Sequence, residues 1–406
     1  MKPVGILLVS SKYEPEYAGS AIRARNTYKR LTEKFPINFE VLTSSVTRND
    51  CVVYYVDKHK VTRIAKKPFP LATDEAGRAK IWDKPKHAVN YIVESALTWK
   101  FLILNIRRFD LIHVFGKNWV TAAVVTFAKI IKKPLIVELC NEVSTPYHYE
   151  PAIFEWIYGE RFHKNTAIIC ISRALEKMCH KYGYEENVVC RPNPVDTSKF
   201  YIDYGRKEEL RRKYTKFSTN DILLLCISKF RPSKNQIFLI DVLKRLGAEY
   251  KLLLAGPVVE SGPLRKRDQA YLESIKRAVR EHGLESRIEI QVKFISNVDE
   301  YLKMSDVFVF PTTTEALGTP MLEAFCSGVP VVANRIPDVT DYWIEEGKNG
   351  FVSRLDPDEF AGKVIKAVGI DKAVLKEKRD AVAALCSTEV IDKQYFDLIE
   401  KLTGRK

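Results

Sequence analysis

The sequence lacks the cysteine patterns of metal-binding and redox proteins. It has eight cysteines in 406 residues but no C-x-x-C pair, so neither a zinc knuckle nor a redox dithiol is indicated. Several cysteines stand in apolar runs, where a reduced thiol behaves as a small hydrophobic side chain, and we expect a reducing compartment. Low-complexity tracts are missing too, and the 46% hydrophobic and 11% aromatic residues are typical of a globular protein.

Long hydrophobic runs are also scarce. The first, residues 4–9, has six residues, which is too short for the hydrophobic region of a signal peptide and predicts a buried strand. The most apolar helical segment, residues 91–106, contains Glu94, Lys100 and Asn105. Because these polar side chains interrupt it, we do not expect it to span a membrane.

Positive charge is concentrated in the first half of the chain. Residues 1–200 carry 31 Lys and Arg against 20 Asp and Glu, which is +11 of the net +14. Basic and aromatic residues together suit docking on anionic lipid. Nucleic acid is the alternative partner, and a solvated face is the ordinary explanation of any one stretch. The asymmetry between the halves raises the membrane interpretation above the ordinary one. We expect a cytoplasmic protein with peripheral contact at the inner membrane face and no nucleic-acid partner. The residues concerned are 58–67, 78–86, Arg107, Arg108, Trp82, Trp99 and Phe101.

Short apolar, β-branched runs alternate with longer amphipathic stretches. Continuous hydrophobicity fits strands buried on both faces, as in a parallel sheet. The pattern occurs twice and predicts two Rossmann-like, doubly wound α/β domains that face each other across a cleft. The predicted strands are 4–9, 39–43, 111–115, 135–139, 167–171, 222–227, 251–255, 288–292, 307–310 and 329–333. The predicted helices are 21–35, 154–162, 175–182, 236–246 and 268–282.

The joint between the domains is predicted in residues 191–200, where two prolines limit regular structure. We therefore expect a first domain over residues 1–198 and a second over 199–384. Residues 385–406 are predicted to form an amphipathic helix that crosses back to the first domain. In α/β domains, ligands bind beyond the carboxyl ends of the strands.

Residues 312–318 follow a predicted strand of the second domain and lie at that carboxyl edge. Pro320 suits the first turn of a helix, with Thr319 as its N-cap. The free amides at the start of this helix, with those of Leu317 and Gly318, form an anion site. Gly318 would let a phosphate approach the backbone closely.

Two carboxylates and two lysines surround this predicted anion site. Glu315, on the loop, can accept hydrogen bonds from polyol hydroxyls, and Glu323, in the helix, can hold a ribose diol. Lys229 and Lys234 follow the first strand of the same domain and can neutralise a diphosphate leaving group, with Arg231 as a third candidate. Phosphate, sugar and ribose together describe a nucleotide sugar.

These motifs carry a family resemblance. "SDVFVFPTTTEALGTPMLEAFCSGVPVVAN" contains an E-x7-E pattern, "ISKFRPSKNQ" is similar to a G-R-L-x-x-x-K-G stretch, and "RPNPVDTSKF" is similar to P-N-G-V-D-x-x-x-F. The chain resembles glycosyltransferase family 4 (group 1), whose members are retaining enzymes of the GT-B fold. The likeness is strong over residues 222–352, and "DLIHVFG" and "CISRALEKM" extend it to the first half.

The resemblance implies roles for individual residues. Glu315 would contact the transferred sugar and Glu323 the nucleotide ribose, while Lys229 and Lys234 would bind the diphosphate and serve catalysis. A turn glycine of the first domain, beside Ala18, would close over the diphosphate, and the residues after one strand of the second domain would contact the base. The further donor-binding residues implied are Gly19, Leu317, Gly318, Thr319, Val292 and Phe294.

The first half departs from the family pattern at two points, and the first is Ala18, which stands in for one glycine of the family's usual pair. Many members carry a histidine after the strand that corresponds to residues 135–139, whereas this chain has Cys140, Asn141 and Glu142. Asn141 and Glu142 are the acceptor-side candidates for polarising the acceptor hydroxyl. His148 is interpreted as a surface-loop residue and His113 as a core histidine.

Neither a metal ion nor another cofactor is expected. The D-x-D spacing at Asp356 and Asp358 is better explained by Asp356 as the N-cap of a helix that starts at Pro357. The paired carboxylates of glycoside hydrolases do not match Glu315 and Glu323, whose predicted positions face different parts of the ligand.

We expect a retaining hexosyltransferase that uses a UDP- or GDP-sugar. Its acceptor would be a glycan or a lipid-linked compound of surface polysaccharide or glycolipid synthesis. One alternative is a nucleotide-sugar-binding protein without catalysis, because the family histidine is missing. Another is a nucleotide-sugar epimerase of similar fold, which would need an acid/base pair flanking the sugar.

Overall fold

The computed structural model describes residues 3–16, 19–45, 47–69, 84–140, 166–260 and 264–404. The chain divides into two compact units: residues 1–192 with 389–406, and residues 193–388. Among the described residues, no helix is long and apolar enough to cross a bilayer.

The first unit is built on an eight-stranded sheet in the order β3-β4-β2-β1-β5-β6-β7-β8. All neighbouring strands are parallel except the pair β3 and β4. The strands are β1 (Val4–Ser10), β2 (Ile37–Thr43), β3 (Cys51–Val56), β4 (His59–Ile64), β5 (Leu111–Phe115), β6 (Leu135–Leu139), β7 (Thr166–Cys170) and β8 (Val188–Cys190). The helices are α1 (Gly19–Lys34), α2 (Lys84–Asn105), α3 (Trp119–Ile130) and α4 (Arg173–Lys181), joined by the C-terminal α13 (Thr388–Thr403).

The second unit has a six-stranded, fully parallel sheet in the order β11-β10-β9-β12-β13-β14. Its strands are β9 (Ile222–Ile227), β10 (Tyr250–Gly256), β11 (Ile288–Val292), β12 (Val307–Phe310), β13 (Val331–Asn334) and β14 (Gly350–Ser353). Its helices are α5 (Lys207–Tyr214), α6 (Phe238–Lys244), α7 (Arg265–Glu281), α8 (Val298–Met304), α9 (Thr319–Cys326), α10 (Thr340–Trp343), α11 (Pro357–Val368) and α12 (Lys372–Cys386).

The predicted parallel strands are present, and five of them have the predicted bounds. The last predicted strand of the second domain, 329–333, is displaced to Val331–Asn334. Pro330 lacks a backbone N–H, so regular pairing of this strand starts after it. The predicted helix 154–162 lies outside the described residues. The strands with unchanged bounds are Leu111–Phe115, Leu135–Leu139, Ile222–Ile227, Ile288–Val292 and Val307–Phe310.

The hairpin of β3 and β4 was not predicted. Residues 58–67 were interpreted only as a basic stretch, yet His59–Ile64 is a strand paired with Cys51–Val56. The turn between them places Asp57 and Lys58 at φ 47° and 70°. Two-residue hairpin turns usually contain glycine or asparagine. Because this turn contains neither residue, the sequence pattern did not indicate a hairpin.

The domain boundaries differ from the predicted 198 and 384. Val195 receives a hydrogen bond from the Thr388 amide at 3.0 Å and donates its own N–H to the Cys386 carbonyl at 2.7 Å. These bonds tie residues 193–198 and 385–388 to the second unit. Residues 389–406 belong to the first unit, where Asp392 pairs with Arg30 at 2.9 Å.

A buried charge cluster joins α1, β5, β6 and α13 in the first unit. The Glu138 carboxylate lies 2.9 Å from Arg23, 3.3 Å from His113 and 3.8 Å from Arg191, and Tyr395 donates its hydroxyl to it at 2.6 Å. Burial alone would raise the pKa of Glu138, but the charge of Arg23 and the hydrogen bond from His113 outweigh it and lower the pKa to about 2.

We predict that Glu138→Gln destabilises the protein by about 3 kcal/mol, because it leaves two buried guanidinium groups without their counter-charge. Urea unfolding at neutral pH measures the change. In the wild-type protein this carboxylate stabilises the fold above pH ~4.5, and the contribution is lost as the pH falls toward 2. Asp397→Asn, on the exposed face of α13, is the matched control, for which we expect less than about 0.5 kcal/mol. Equal effects of the two substitutions would contradict this account of the cluster.

Candidate active site

The candidate site lies where the strand order of the second sheet reverses. β9 is flanked by β10 on one side and by β12 on the other, so the loops that leave β9 and β12 diverge at a topological switch point. The two loops are tied together by hydrogen bonds. The Thr313 amide and the Thr312 hydroxyl both donate to the Ser233 carbonyl at 3.0 Å. Asn334, at the end of β13, donates to the Thr312 carbonyl at 2.9 Å.

An ion pair connects the same two loops. The Lys234 ammonium lies 2.6 Å from the Glu315 carboxylate, and the two side chains are 17% and 20% exposed. Asn235 follows with φ 53°, a left-handed conformation that glycine and asparagine adopt most readily. This conformation explains why the related pattern has glycine at that position. Lys229 is half-buried on the same loop.

Two further residues shape the loop after β9, and neither was predicted. Gln236 donates its side-chain N–H to the Ser228 hydroxyl at 2.8 Å and to the Lys229 carbonyl at 2.9 Å. Gly256, at the end of β10, has φ 150°, and a Cβ there would lie 2.0 Å from the Ser228 carbonyl oxygen. The only sequence signal for these contacts was the position of Gln236 at the end of the "ISKFRPSKNQ" motif.

The helix α9 begins beside the ion pair. Gly318 is its N-cap, with φ 79° and ψ 50°, so the prediction that Thr319 is the N-cap was wrong. Thr319 and Pro320 are the first two helical residues, and the Thr319 hydroxyl accepts a hydrogen bond from Asn193 at 2.7 Å. No side chain caps the helix, which leaves its first amides for a ligand. Leu317 is buried, so it can offer only its backbone.

Glu323 is the fifth residue of α9 and has a different environment from Glu315. Among the described residues, no side chain donates a hydrogen bond to its carboxylate. Burial raises the pKa of Glu323 to about 8, and the negative charge of Asp299 adds to the rise. A half-buried carboxyl group with spare hydrogen-bonding capacity can receive a polar ligand group, such as a diol.

The predicted base-contacting residues lie at the far side of the second sheet. Val292 ends β11, two strands from β9, and Phe294 follows it. Their side chains are 41% and 56% exposed. They therefore offer apolar surface to a ligand, but the structure does not bring them into contact with Lys234 or Glu315.

The structure describes only some of the residues that were predicted to matter in the first unit. Gly19 is the first residue of α1, and a Cβ on it would meet nothing within 4 Å. Asn141, Glu142 and His148 lie outside the described residues. His113 is a buried core histidine, as predicted, with Nδ1 2.8 Å from the Tyr28 hydroxyl and its pKa lowered by burial.

Asp356, the first aspartate of the D-x-D spacing, is a helix cap. The Asp356 side chain accepts a hydrogen bond from the Glu359 amide at 2.8 Å and caps α11. Asp358 instead pairs with Arg245 at 3.2 Å. Within the part of the chain that the structure describes, no group of three His, Cys, Asp or Glu side chains is placed to hold a metal ion.

The whole chain is similar to a solved structure, that of Anabaena HepE in complex with UDP. The TM-score is 0.73 at 17% identity, with 98% of this chain and 100% of that chain covered. The likeness establishes the two-domain GT-B fold. Residues 206–381 match the family described as glycosyl transferases group 1. The match covers this segment of the chain, which contains Lys229, Lys234, Glu315 and Glu323.

Two curated relatives cover much of the chain. The alpha-monoglucosyldiacylglycerol synthase of Streptococcus pneumoniae is 24% identical over 314 residues, which are 71% of this chain and 67% of that protein. The UDP-Gal:alpha-D-GlcNAc-diphosphoundecaprenol alpha-1,3-galactosyltransferase of Escherichia coli is 22% identical over 274 residues, 66% of this chain and 68% of that protein. Both similarities extend beyond the matched domain.

The raised pKa of Glu323 makes stability depend on pH. Its carboxyl group binds a proton up to pH ~8 in the folded state but only to pH ~4.5 when unfolded. This group therefore lowers stability as the pH rises between these values, by at most about 1.4 kcal/mol per pH unit. We predict that Glu323→Gln removes this part of the pH dependence, so that the variant gains stability relative to wild type at pH 8.5 but not at pH 4.5.

Thermal unfolding across this pH range is the measurement. Glu281→Gln, at an exposed end of α7, is the matched control and should leave the pH dependence unchanged. If Glu323→Gln and the wild-type protein lose stability in parallel as the pH rises, the carboxyl group is ionised throughout and the proposed environment is wrong.

Proposed function

We propose that the protein is a retaining, metal-independent hexosyltransferase. It moves a hexose-type sugar from a UDP- or GDP-sugar to a glycan or lipid-linked acceptor of surface polysaccharide or glycolipid synthesis. The glycosyl transferases group 1 domain supports the transferase class. The acceptor class is supported by two relatives, one named for a monoglucosyldiacylglycerol and the other for a diphosphoundecaprenol-linked sugar.

The ion pair of Lys234 and Glu315 is the observation that carries the proposal. It holds an ammonium group and a carboxylate 2.6 Å apart at the switch point of the sheet, next to the uncapped start of α9. An incoming diphosphate brings its own negative charge to Lys234. Glu315 is then available to accept hydrogen bonds from the hydroxyls of the attached sugar. Two adjacent side chains thus match two adjacent parts of one ligand.

The reaction breaks the bond between the anomeric carbon and the diphosphate oxygen, and the electron pair stays on the diphosphate. The acceptor hydroxyl forms the new bond from the same face, which retains the configuration, and its proton passes to the departing phosphate oxygen. Lys234 and Lys229 stabilise the added negative charge, together with the amides of Gly318 and Thr319. Ammonium and amide groups supply the positive charge, so the step needs no metal or other cofactor.

The remaining assignments complete the donor and acceptor sides. Glu323 binds the ribose diol with its carboxyl group, to which no side chain in the described part of the chain donates a hydrogen bond. Val292 and Phe294 provide exposed apolar surface for the base. In the first unit, Gly19 contacts the diphosphate, and the acceptor-side candidates are the two residues that follow Cys140.

We predict that one class of nucleotide sugar raises the melting temperature of the protein. A thermal-shift panel of UDP-, GDP- and ADP-sugars measures the effect, and a ligand at 100 times its Kd stabilises by about 2.7 kcal/mol. Glu323→Ala should abolish the shift because the ribose loses its partner, whereas Glu281→Ala should keep it. A panel in which no nucleotide sugar changes the melting temperature would contradict the proposal.

Lys234→Ala should lower kcat by on the order of a hundredfold, because the leaving group loses its main counter-charge. Sugar release from the donor identified in the panel, with and without acceptor, gives the rate. Lys244→Ala, on α6 in the same unit and paired with Asp241, is the matched control and should keep the wild-type rate. Tight donor binding without any turnover would favour a binding protein, and interconversion of the sugar without an acceptor would favour an epimerase.

A further inference from the structure

The helix α2 has its polar and apolar faces inverted. Asn90, Glu94 and Thr98, spaced four residues apart, are buried. Asn90 exchanges two hydrogen bonds with the backbone of Phe69, at 3.0 and 2.9 Å. Glu94 accepts one from the Ser44 hydroxyl at 3.4 Å. A surface helix ordinarily turns its polar face outward and its apolar face inward.

The outer face of α2 carries large aliphatic side chains. Ile92, Ile103 and Leu104 are 65%, 65% and 71% exposed, and Val89 and Trp99 are also exposed. Val89, Ile92, Trp99 and Ile103 are separated by three, seven and four positions, which places them in one row along the helix, and Leu104 lies at the edge of this row. Scattered exposed aliphatic residues are common, but a continuous row of this size marks an interaction surface.

The helix α3 extends this row. Tyr91 stacks on Trp119 with ring centroids 3.6 Å apart, and Trp99 meets Phe127 edge-on at 5.8 Å. Both pairs are 28 positions apart, so the two helices run side by side in the same direction. The same offset brings the end of α2 beside the end of α3, where Ile130 and Ile131 are also exposed.

Basic residues surround this apolar surface. From 84 to 108 there are five Lys and Arg residues and one acidic residue, the buried Glu94. From 119 to 133 there are three lysines and no acidic residue. Arg108 is paired with Glu40. Lys100, Arg107 and Lys132 are exposed and follow Trp99, Leu104 and Ile131 by one to three positions in sequence.

We propose that the outer faces of α2 and α3 dock on a bilayer that contains anionic lipid. The docking surface is defined by Ile92, Trp99, Ile103, Leu104 and Ile130 with the surrounding basic residues. Its apolar row enters the interfacial region, and its lysines and arginines meet the negative headgroups. The contact is peripheral, since no described helix could cross the membrane. The biological reason for docking rests on the proposed function, because a lipid-linked acceptor lies in a bilayer.

The charge and the side-chain types of this surface favour lipid over other partners. Nucleic-acid surfaces combine basic residues with stacking aromatic rings, whereas this surface presents aliphatic side chains, which have no favourable contact with phosphates. A second copy of the chain would bring the same positive charge against itself, which opposes association. A negatively charged membrane complements both the apolar row and its basic margin.

Flotation of the full-length protein with vesicles tests the proposal. We expect binding to vesicles in which about a third of the lipid is phosphatidylglycerol, at least tenfold weaker binding to pure phosphatidylcholine, and a decline with added salt. The double substitution I103S/L104S should weaken binding at least tenfold. Lys100→Gln and Arg107→Gln should each weaken it roughly fivefold.

Matched controls lie in the second unit. Ile365→Ser, at a residue that is 53% exposed, and Arg212→Gln, with a side chain 76% exposed, should leave vesicle binding unchanged. Melting temperatures of all variants, with and without the nucleotide sugar, show that both units remain folded. The I103S/L104S variant should keep the nucleotide-sugar shift, so a failure of docking is distinguished from a failure of the proposed function.

Three results would overturn the docking surface. The first is vesicle binding that is absent, or equal for the two lipid compositions. The second is binding that the α2 substitutions leave at the wild-type level. The third is evidence that the surface binds another partner. Such evidence would be a duplex oligonucleotide that binds as tightly as the vesicles, or a dimer in sedimentation that the I103S/L104S substitution dissociates.

Discussion

The reversal of strand order between β9 and β12 is the constraint on which the candidate site depends. It places two loops that are about 80 residues apart in sequence at one edge of the sheet. Lys234 and Glu315 then come within 2.6 Å of each other, and the carbonyl of Ser233 holds the loops in place. The ion pair follows from the topology, and the ligand chemistry proposed for the site follows from the ion pair.

The buried carboxylate of Glu138 in the first unit and the half-buried one of Glu323 in the second have opposite environments. In the first unit, Glu138 has Arg23, Arg191, His113 and a tyrosine hydroxyl around it, and its pKa falls to about 2. In the second, Glu323 has no such partner within the described ranges, and burial raises its pKa to about 8. A carboxylate that the protein satisfies internally stabilises the fold, while one left unsatisfied has a cost in stability that a ligand can relieve.

Much of this organisation was predictable from the sequence, for physical reasons that also mark the limits. Parallel strands buried on both faces read as continuous apolar runs, so residues 111–115 and 307–310 were located to the residue. Side-chain types at fixed spacings predicted Lys234 and Glu315 at one edge of the second sheet, where the structure brings them together. Backbone conformation was less accessible: the left-handed turn at Asp57 has no glycine, and the N-cap role of Gly318 depends on its φ. The domain boundaries depend on long-range hydrogen bonds of Val195 that no local pattern contains.

The same limit applies to α2, and here it changes the interpretation of the charge asymmetry. In sequence, its apolar and polar residues only show that residues 91–106 are too polar to span a membrane. The structure shows on which side of the helix each residue lies. The polar residues Asn90 and Thr98 are buried, while Ile103 and Leu104 are exposed. The buried polar groups are satisfied by hydrogen bonds, whereas the exposed aliphatic side chains form a row large enough to mark an interaction surface. The aliphatic row would gain from contact with an apolar medium, and the basic residues around it favour one with negative charge, which is the physical basis of the proposed docking surface.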